Sequence, residues 1–288
     1  MLGLAGFIDT HSHIQLSGAP ERAALEIEAA RRAGVESMLL APGAPGDWAP
    51  TRAFAHAWGL GYLLGIHPLF VKYADEAALA RLRAEVEASL EDPFFIGIGE
   101  IGLDGFVPGQ DQAHAEEVFA ECLAIARDYA LPASIHVRKS ASRVLMHLRR
   151  RMPAGGAVHA FNGSDQERES FLQLGLKLGF GGAATYAGSL RIRRHLAEAP
   201  EDAWVLETDA PDMPTSRRRD AFAHGALLLD TAPADILEAA DAAAMLRALP
   251  LEAVAAVSRR NAIAAFPRLA PLLTRPDAFA RRGRDTLD

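Results

Sequence analysis

Phe7-Ile8-Asp9-Thr10-His11-Ser12-His13 is the stretch on which the reading of the fold turns. Phe7 to Asp9 read as the end of a buried strand, and the chain then presents two imidazoles two positions apart. Side chains alternate faces in an extended segment, so positions 11 and 13 point the same way. Two such nitrogens can share one cation, each about 2.0–2.1 Å from it. A His-x-His pair often arises by chance, so its meaning depends on whether other strands supply ligands at matching places.

Short apolar runs alternate with longer amphipathic ones along the whole chain. The strand candidates are 5–10, 35–41, 61–66, 94–101, 132–137, 155–159, 176–181 and 203–208. They concentrate Ile, Val, Phe and Leu between Gly and Pro markers. The intervening segments 21–33, 76–90 and 112–129 carry apolar residues at helical spacing with charges on the other face. Eight strands alternating with helices imply parallel pairing through right-handed crossovers. An open doubly wound sheet would also satisfy the alternation. The count of eight, with no Gly-rich phosphate fingerprint after the first strand, favours a closed (β/α)8 TIM barrel. A single domain is expected over residues 1–275, with 251–266 as a late helix. Residues 276–288, with Arg281, Arg282 and Arg284, read as a flexible, frayed tail.

Half of the 288 residues are hydrophobic and 23% are charged, which excludes a disordered chain and allows a large core. The net charge of −7 argues against a broad basic grip on duplex nucleic acid. A phosphate-bearing substrate held by metals at a local site remains compatible. Cys122 is the single cysteine, which excludes an internal disulfide and a cysteine-based zinc site and fits a reducing compartment. There is no basic leader region and no run near the roughly 18 apolar residues of a membrane span. A soluble, cytoplasmic protein with no membrane association and no obligate protein partner is expected.

Chemistry in a barrel lies at the C-terminal strand ends. Here strand 3 ends Gly65-Ile66-His67-Pro68, and strand 4 ends Gly97-Ile98-Gly99-Glu100-Ile101-Gly102-Leu103-Asp104. Strand 5 ends Ile135-His136-Val137-Arg138, strand 6 His159-Ala160-Phe161-Asn162-Gly163, and strand 8 Leu206-Glu207-Thr208-Asp209-Ala210-Pro211. Singly, each histidine is better explained as a satisfied core or loop residue. Jointly, five of the ten histidines at strand ends describe a ring of imidazoles and carboxylates of the kind that holds one or two cations in hydrolases. Glu100 sits deep in an apolar run and needs partners, either two bridged cations or an ion pair with Arg138. Of Glu207 and Asp209, one is expected to face the barrel interior, and Val205 and Leu206 do not decide which. Asp104 reads as a loop or cap residue, and His67 as loop packing or substrate contact. Arg138 reads either as a phosphate partner or as a support for Glu100 or a loop carbonyl.

These runs resemble the TatD-related metal-dependent hydrolases, the TatD DNase family, in order and spacing from residue 7 to about residue 266. The Gly99-to-Asp104 and Glu207-to-Pro211 runs are the specific ones. Thr208-to-Pro214 and Lys177-to-Gly182 most resemble the YjjV-type branch. The resemblance implies an amidohydrolase-like barrel with two divalent metal ions (Zn, Mn, Mg or Ni). It would place His11, His13, Glu100 and Asp209 on the first, with Glu100 bridging to a second held by His136 and His159. It further implies catalytic roles for Glu100 and for Asp209 as general base, substrate contacts by Arg138 and His67, and cleavage of DNA or another phosphodiester. The alternative is hydrolysis of an amide, lactone or ester in a small metabolite, because fold and metals do not choose the substrate. Two features depart from the family. Thr231-Ala232-Pro233 lacks the Asn of an Asn-x-Pro element, and Arg217, Arg218 and Arg219 stand near the expected mouth. With Arg191, Arg193 and Arg194 these arginines either favour phosphate or form solvated helix faces.

Overall fold

Eight apolar runs, buried on both faces, form parallel strands that pair in chain order. They are β1 (Phe7–Ser12), β2 (Val35–Leu40), β3 (Gly61–Leu64), β4 (Phe95–Asp104), β5 (Ala133–Arg138), β6 (Gly156–Val158), β7 (Lys177–Phe180) and β8 (Trp204–Leu206). The helices are α1 (Pro20–Arg32), α2 (Trp48–Trp58), α3 (Glu76–Ser89), α4 (Gln112–Asp128), α5 (Ala141–Arg150), α6 (Asp165–Gln173), α7 (Leu190–Glu198), α8 (Ser216–Ala223), α9 (Ile236–Arg247), α10 (Leu251–Ala265) and α11 (Leu269–Thr274). The structure, a computed structural model, describes residues 6–227 and 229–279. The fold is the TIM barrel expected, and each strand overlaps its expected run.

Helix starts follow local chemistry. Pro20 occupies the first turn of α1, Asp75 accepts from the Ala78 N–H, Asp111 from those of Ala113 and His114, and Ser164 forms a capping box with Glu167. Asn261 in α10 donates to the carbonyls of Glu201 and Trp204 and so ties that helix to the start of β8.

Two features of the sheet position the site. In β4, three residues oppose two of β5, since Ile98 pairs with Ala133 but Ile101 with Ile135. In β1 the same happens between Asp9, opposite Met38, and Ser12, opposite Leu40. Both are β-bulges, which re-aim side chains at barrel rims. They fall at Glu100 and at His11.

The second feature is the seam where β8 meets β1. The Asp209 N–H donates to the His11 carbonyl (2.9 Å) and the His13 N–H to that of Ala210 (2.7 Å). The buried Asp9 carboxylate accepts from the backbone N–H and the hydroxyl of Thr208. The seam therefore fixes both chain segments that carry site residues.

The tail expectation is corrected at its start. Ala278 and Phe279 are buried, and the Phe279 N–H donates to the Gly59 carbonyl (3.0 Å). An aromatic ring that can reach the core is not left in water. Arg281, Arg282 and Arg284 lie outside the described residues. No helix among the described residues is long and apolar enough to cross a membrane.

Candidate active site

Glu100 is 1% exposed and is the hub of the barrel mouth. Its Oε2 lies 2.9 Å from His11 Nε2 and 3.1 Å from His13 Nε2, and its Oε1 lies 2.7 Å from His136 Nδ1. It does not pair with Arg138, so that alternative is set aside. Arg138 instead stands 3.7 Å from Asp104, with its side chain 59% exposed. Asp209 Oδ1 is 3.8 Å from His11 Nε2 and 3.5 Å from His13 Nε2, and Oδ2 is 3.7 Å from His159 Nε2.

The outer nitrogen of each ring decides which inner nitrogen is free. His13 Nδ1–H donates to the Ala41 carbonyl (2.8 Å), and His11 Nδ1 meets Ser134 Oγ (2.8 Å). His136 Nε2 meets Asp104 Oδ2 (3.2 Å), and His159 Nδ1 lies 3.0 Å from Glu207 Oε1 without a hydrogen bond. A proton on each outer nitrogen would leave the inner one free for a cation lying between it and Glu100 or Asp209. His67 is the reverse case. Its Nδ1 accepts from the Leu69 N–H (3.0 Å), so its proton sits on Nε2, 3.4 Å from Glu100 Oε1. His67 belongs spatially to a cluster with Glu100 and His136, yet its tautomer makes it a donor there rather than a cation ligand.

A cation fits this donor set. Two ligands about 2.0–2.1 Å from a tetrahedral ion lie about 3.3 Å apart. His11 Nε2 and His13 Nε2 are 3.2 Å apart, and the other separations among His11, His13, Glu100 and Asp209 given above span 2.9 to 3.8 Å. His159 clusters with His11 and Glu100, while its ring lies 6.3 Å from that of His136.

Charge is distributed unevenly over these groups. Burial alone would raise the pKa of Glu100, but the His67 and His11 imidazoles hold it well below the usual carboxylate range. Burial and the neighbouring His159 push His11 down to about 4. Burial opposes the charged form of His13 too, but Glu100 and Asp209 outweigh it and raise that ring to about 9. Asp209 is pushed up to about 6 by burial, against the pull of His159 and His13.

Two residues have roles here that their sequence context hid. Asp104 is the buried last residue of β4; its Oδ1 caps the Phe106 N–H (2.7 Å) and its Oδ2 anchors His136. Glu207 was expected to compete with Asp209 for the interior, but positions two apart share a face, and both point inward. Glu207 accepts from the Ala160 N–H (2.6 Å) beside His159. The room for it is made by Gly179, where a Cβ would stand 2.2 Å from Glu207 Oε2. The i, i+2 spacing was the signal for Glu207. Arg217, Arg218 and Arg219 do not line the mouth; Arg218 pairs with Asp235 (2.7 Å), Arg217 faces Asp241 (3.5 Å) and Arg219 donates to the Tyr186 hydroxyl (3.1 Å).

Backbone strain is concentrated here as well. Among the described non-glycine residues with positive φ, Lys139 (49°), Ala160 (44°), Asp209 (60°) and Met213 (52°) all follow the ends of β5, β6 or β8. Such conformations persist where the surroundings hold them, typically at functional sites.

Fold and site thus define a barrel hydrolase that depends on metal. The family model described as TatD related DNase matches residues 8–267, and the chain belongs to that family. It is 34% identical over 210 residues to the uncharacterized metal-dependent hydrolase YjjV of Escherichia coli, covering 72% of this chain and 80% of that one. An uncharacterized metal-dependent hydrolase of Haemophilus influenzae is 31% identical over 272 residues, 90% of this chain and 99% of that one. A Musicola paradisiaca protein named 3'-5' ssDNA/RNA exonuclease TatD is 34% identical over 221 residues, 67% of this chain and 77% of that one. The crystal structure of E. coli YjjV superposes with a TM-score of 0.84 at 30% identity, covering 92% of this chain and 99% of that one.

Proposed function

We propose that this hydrolase cleaves phosphodiester bonds in nucleic acid, with divalent cations that would be held around Glu100. The observation that carries the reading is the division of Glu100 between two sets of imidazoles, Oε2 with His11 and His13 and Oε1 with His136. His11, His13 and Asp209 would hold one cation with Glu100, and His136 and His159 would be left to hold another. This mixed set suits Zn, Mn or Ni better than Mg, which prefers oxygen. Bound there, the cations supply positive charge to the substrate's oxygens and make water acidic enough to attack near neutral pH.

The chain's own residues do the rest. Asp209 accepts the proton of the attacking water, and burial keeps it more basic than an exposed aspartate. His67 Nε2–H donates toward Glu100 or an incoming oxygen. Glu207 and Asp104 hold the His159 and His136 rings in orientation. Arg138, exposed above the cleft, is placed to pair with a phosphate oxygen. The relatives named as ssDNA/RNA exonucleases support a nucleic acid substrate over a small metabolite.

The reading is tested by stripping the purified protein with a chelator and reloading it with Zn, Mn, Ni or Mg. Reloaded protein is then offered a single-stranded oligonucleotide, bis(p-nitrophenyl) phosphate, and a panel of amides, lactones and carboxylic esters. Metal-restored cleavage of the phosphodiesters is expected; cleavage confined to the amide, lactone or carboxylic ester set would overturn the assignment.

A further inference from the structure

The candidate metal centre lies in a cleft of about 520 Å³, and a second cleft of about 440 Å³ opens beside it, with Val137 and Asn162 lining both. The second cleft carries Lys139 and Arg191, and neither cation is within ion-pairing distance of a carboxylate among the described residues. Arg191 directs Nε (3.2 Å) and Nη2 (2.8 Å) to the Asn162 side-chain oxygen, a neutral partner that leaves its charge uncompensated. Among the described residues, Glu167 is the one carboxylate on this wall, and its Oε2 is engaged by the Ser164 N–H (2.6 Å). The neighbouring Arg194 is spent on Asp165 (2.8 Å), and Arg193 on the Ala184 carbonyl (2.9 Å). A chain with net charge −7 thus keeps a local positive station next to its candidate metal site.

One aromatic ring contacts a cation from each cleft. Phe106 is 48% exposed, and both the Arg138 guanidinium, which lines the first cleft, and the Lys139 ammonium, which lines the second, lie 4.4 Å from its centroid. The ring thereby holds one cation for each cleft, and the two charges are placed to meet successive phosphates of one strand. A small monoanionic ester would use the first cleft only. A ligand that fills both stations has repeating negative charges, as a nucleic acid strand does.

We propose that the second cleft is a subsite for the phosphate adjacent to the scissile one in a nucleic acid strand, held by Lys139 and Arg191. This rests on the phosphodiesterase reading, and the experiment separates the two. Fluorescein-labelled hexathymidylate is titrated with the full-length protein in chelator, so that binding is read by anisotropy without turnover. The K139Q/R191Q protein should bind about tenfold more weakly, and its dependence of log Kd on log salt should flatten by about 0.7 for each phosphate no longer neutralised. K139R should bind within about twofold of the wild type, since it keeps the charge. With metal restored, the ratio of KM for hexathymidylate to KM for bis(p-nitrophenyl) phosphate should rise about tenfold in K139Q/R191Q.

No binding by the wild type, an unchanged salt slope, equal weakening in K139R and K139Q/R191Q, or an unchanged KM ratio overturns the subsite. All substituted side chains are solvent-exposed or half-exposed, so misfolding does not supply these outcomes. If the strand binds as expected and is cut with none of the metals, the subsite stands and the nuclease reading falls.

Discussion

Asp209 is where one oxygen-to-nitrogen exchange separates holding a cation from moving a proton. The Asp209→Asn side chain keeps a carbonyl oxygen near His11 and His13, so metal content should stay near that of the wild type while kcat falls about 10²- to 10⁴-fold. Turnover within a few-fold of wild type, with metal retained, would remove Asp209 from the proton-accepting role. His136→Ala takes away the imidazole nitrogen that lies 2.7 Å from Glu100 Oε1, and elemental analysis of the dialysed protein should then find one ion fewer per chain. An unchanged metal count would place the second ion elsewhere. At this scale the sequence was readable for the groups that converge: His11, His13, Glu100, His136, His159 and Asp209 do meet at one mouth. It was not readable for the residues that orient them. Asp104 read as a loop or cap residue, and it does cap the Phe106 N–H, but its hold on His136 was hidden because β4 runs three positions past its expected end, to 104. His67 stayed ambiguous because its role follows from a tautomer, and the Leu69 N–H that sets it is a backbone group that carries no mark in the sequence.

The elements depend on two devices that residue patterns hide. The bulges in β1 and β4 turn His11 and Glu100 inward, so strict alternation, which suggested that positions 11 and 13 share a face, gave a sound conclusion from geometry that the strand does not keep. The seam between β8 and β1 depends on Asp9, an ordinary strand carboxylate in sequence. Burial pushes Asp9 up to about 7, against the hydrogen bonds it accepts from Thr208 and His11. A raised native pKa means that the folded state binds the proton more tightly than the unfolded one. Its contribution is therefore complete below 3.8 and fades as pH rises toward about 7. Urea unfolding of metal-free protein should accordingly show Asp9→Asn gaining on the wild type between about pH 4 and about pH 7. A gap between the two proteins that stays constant with pH would show that Asp9 does not titrate in this window. Gly179→Ala puts a methyl group where Glu207 lies and should displace the support of His159. Activity should fall by roughly 10- to 100-fold with far-UV circular dichroism unchanged; full activity would mean that Glu207 does not orient the ring.

Across the whole molecule, the count and alternation of eight strands with helices specified the barrel, because parallel pairing and right-handed crossovers leave few other arrangements. The chain end was misjudged for a reason of the same kind. Pattern reading sees a short polar stretch after Pro276, whereas Phe279 docks against Gly59, a partner far away in sequence. Phe279→Ala should lower the unfolding free energy by about 3 kcal/mol, measured by urea denaturation, through reduced burial and the cavity left behind. A change under about 0.5 kcal/mol would mean the ring contributes nothing to stability. The central proposal is that metal held around Glu100 supports phosphodiester cleavage with Asp209 as base. It is tested most directly by following cleavage of a labelled single-stranded oligonucleotide with chelated, then metal-reloaded, wild-type and Asp209→Asn protein. The expected result is cleavage that vanishes on chelation, returns with metal in the wild type, and stays absent in Asp209→Asn although its metal content recovers. Cleavage that persists in chelator, or that returns undiminished in Asp209→Asn, would contradict it.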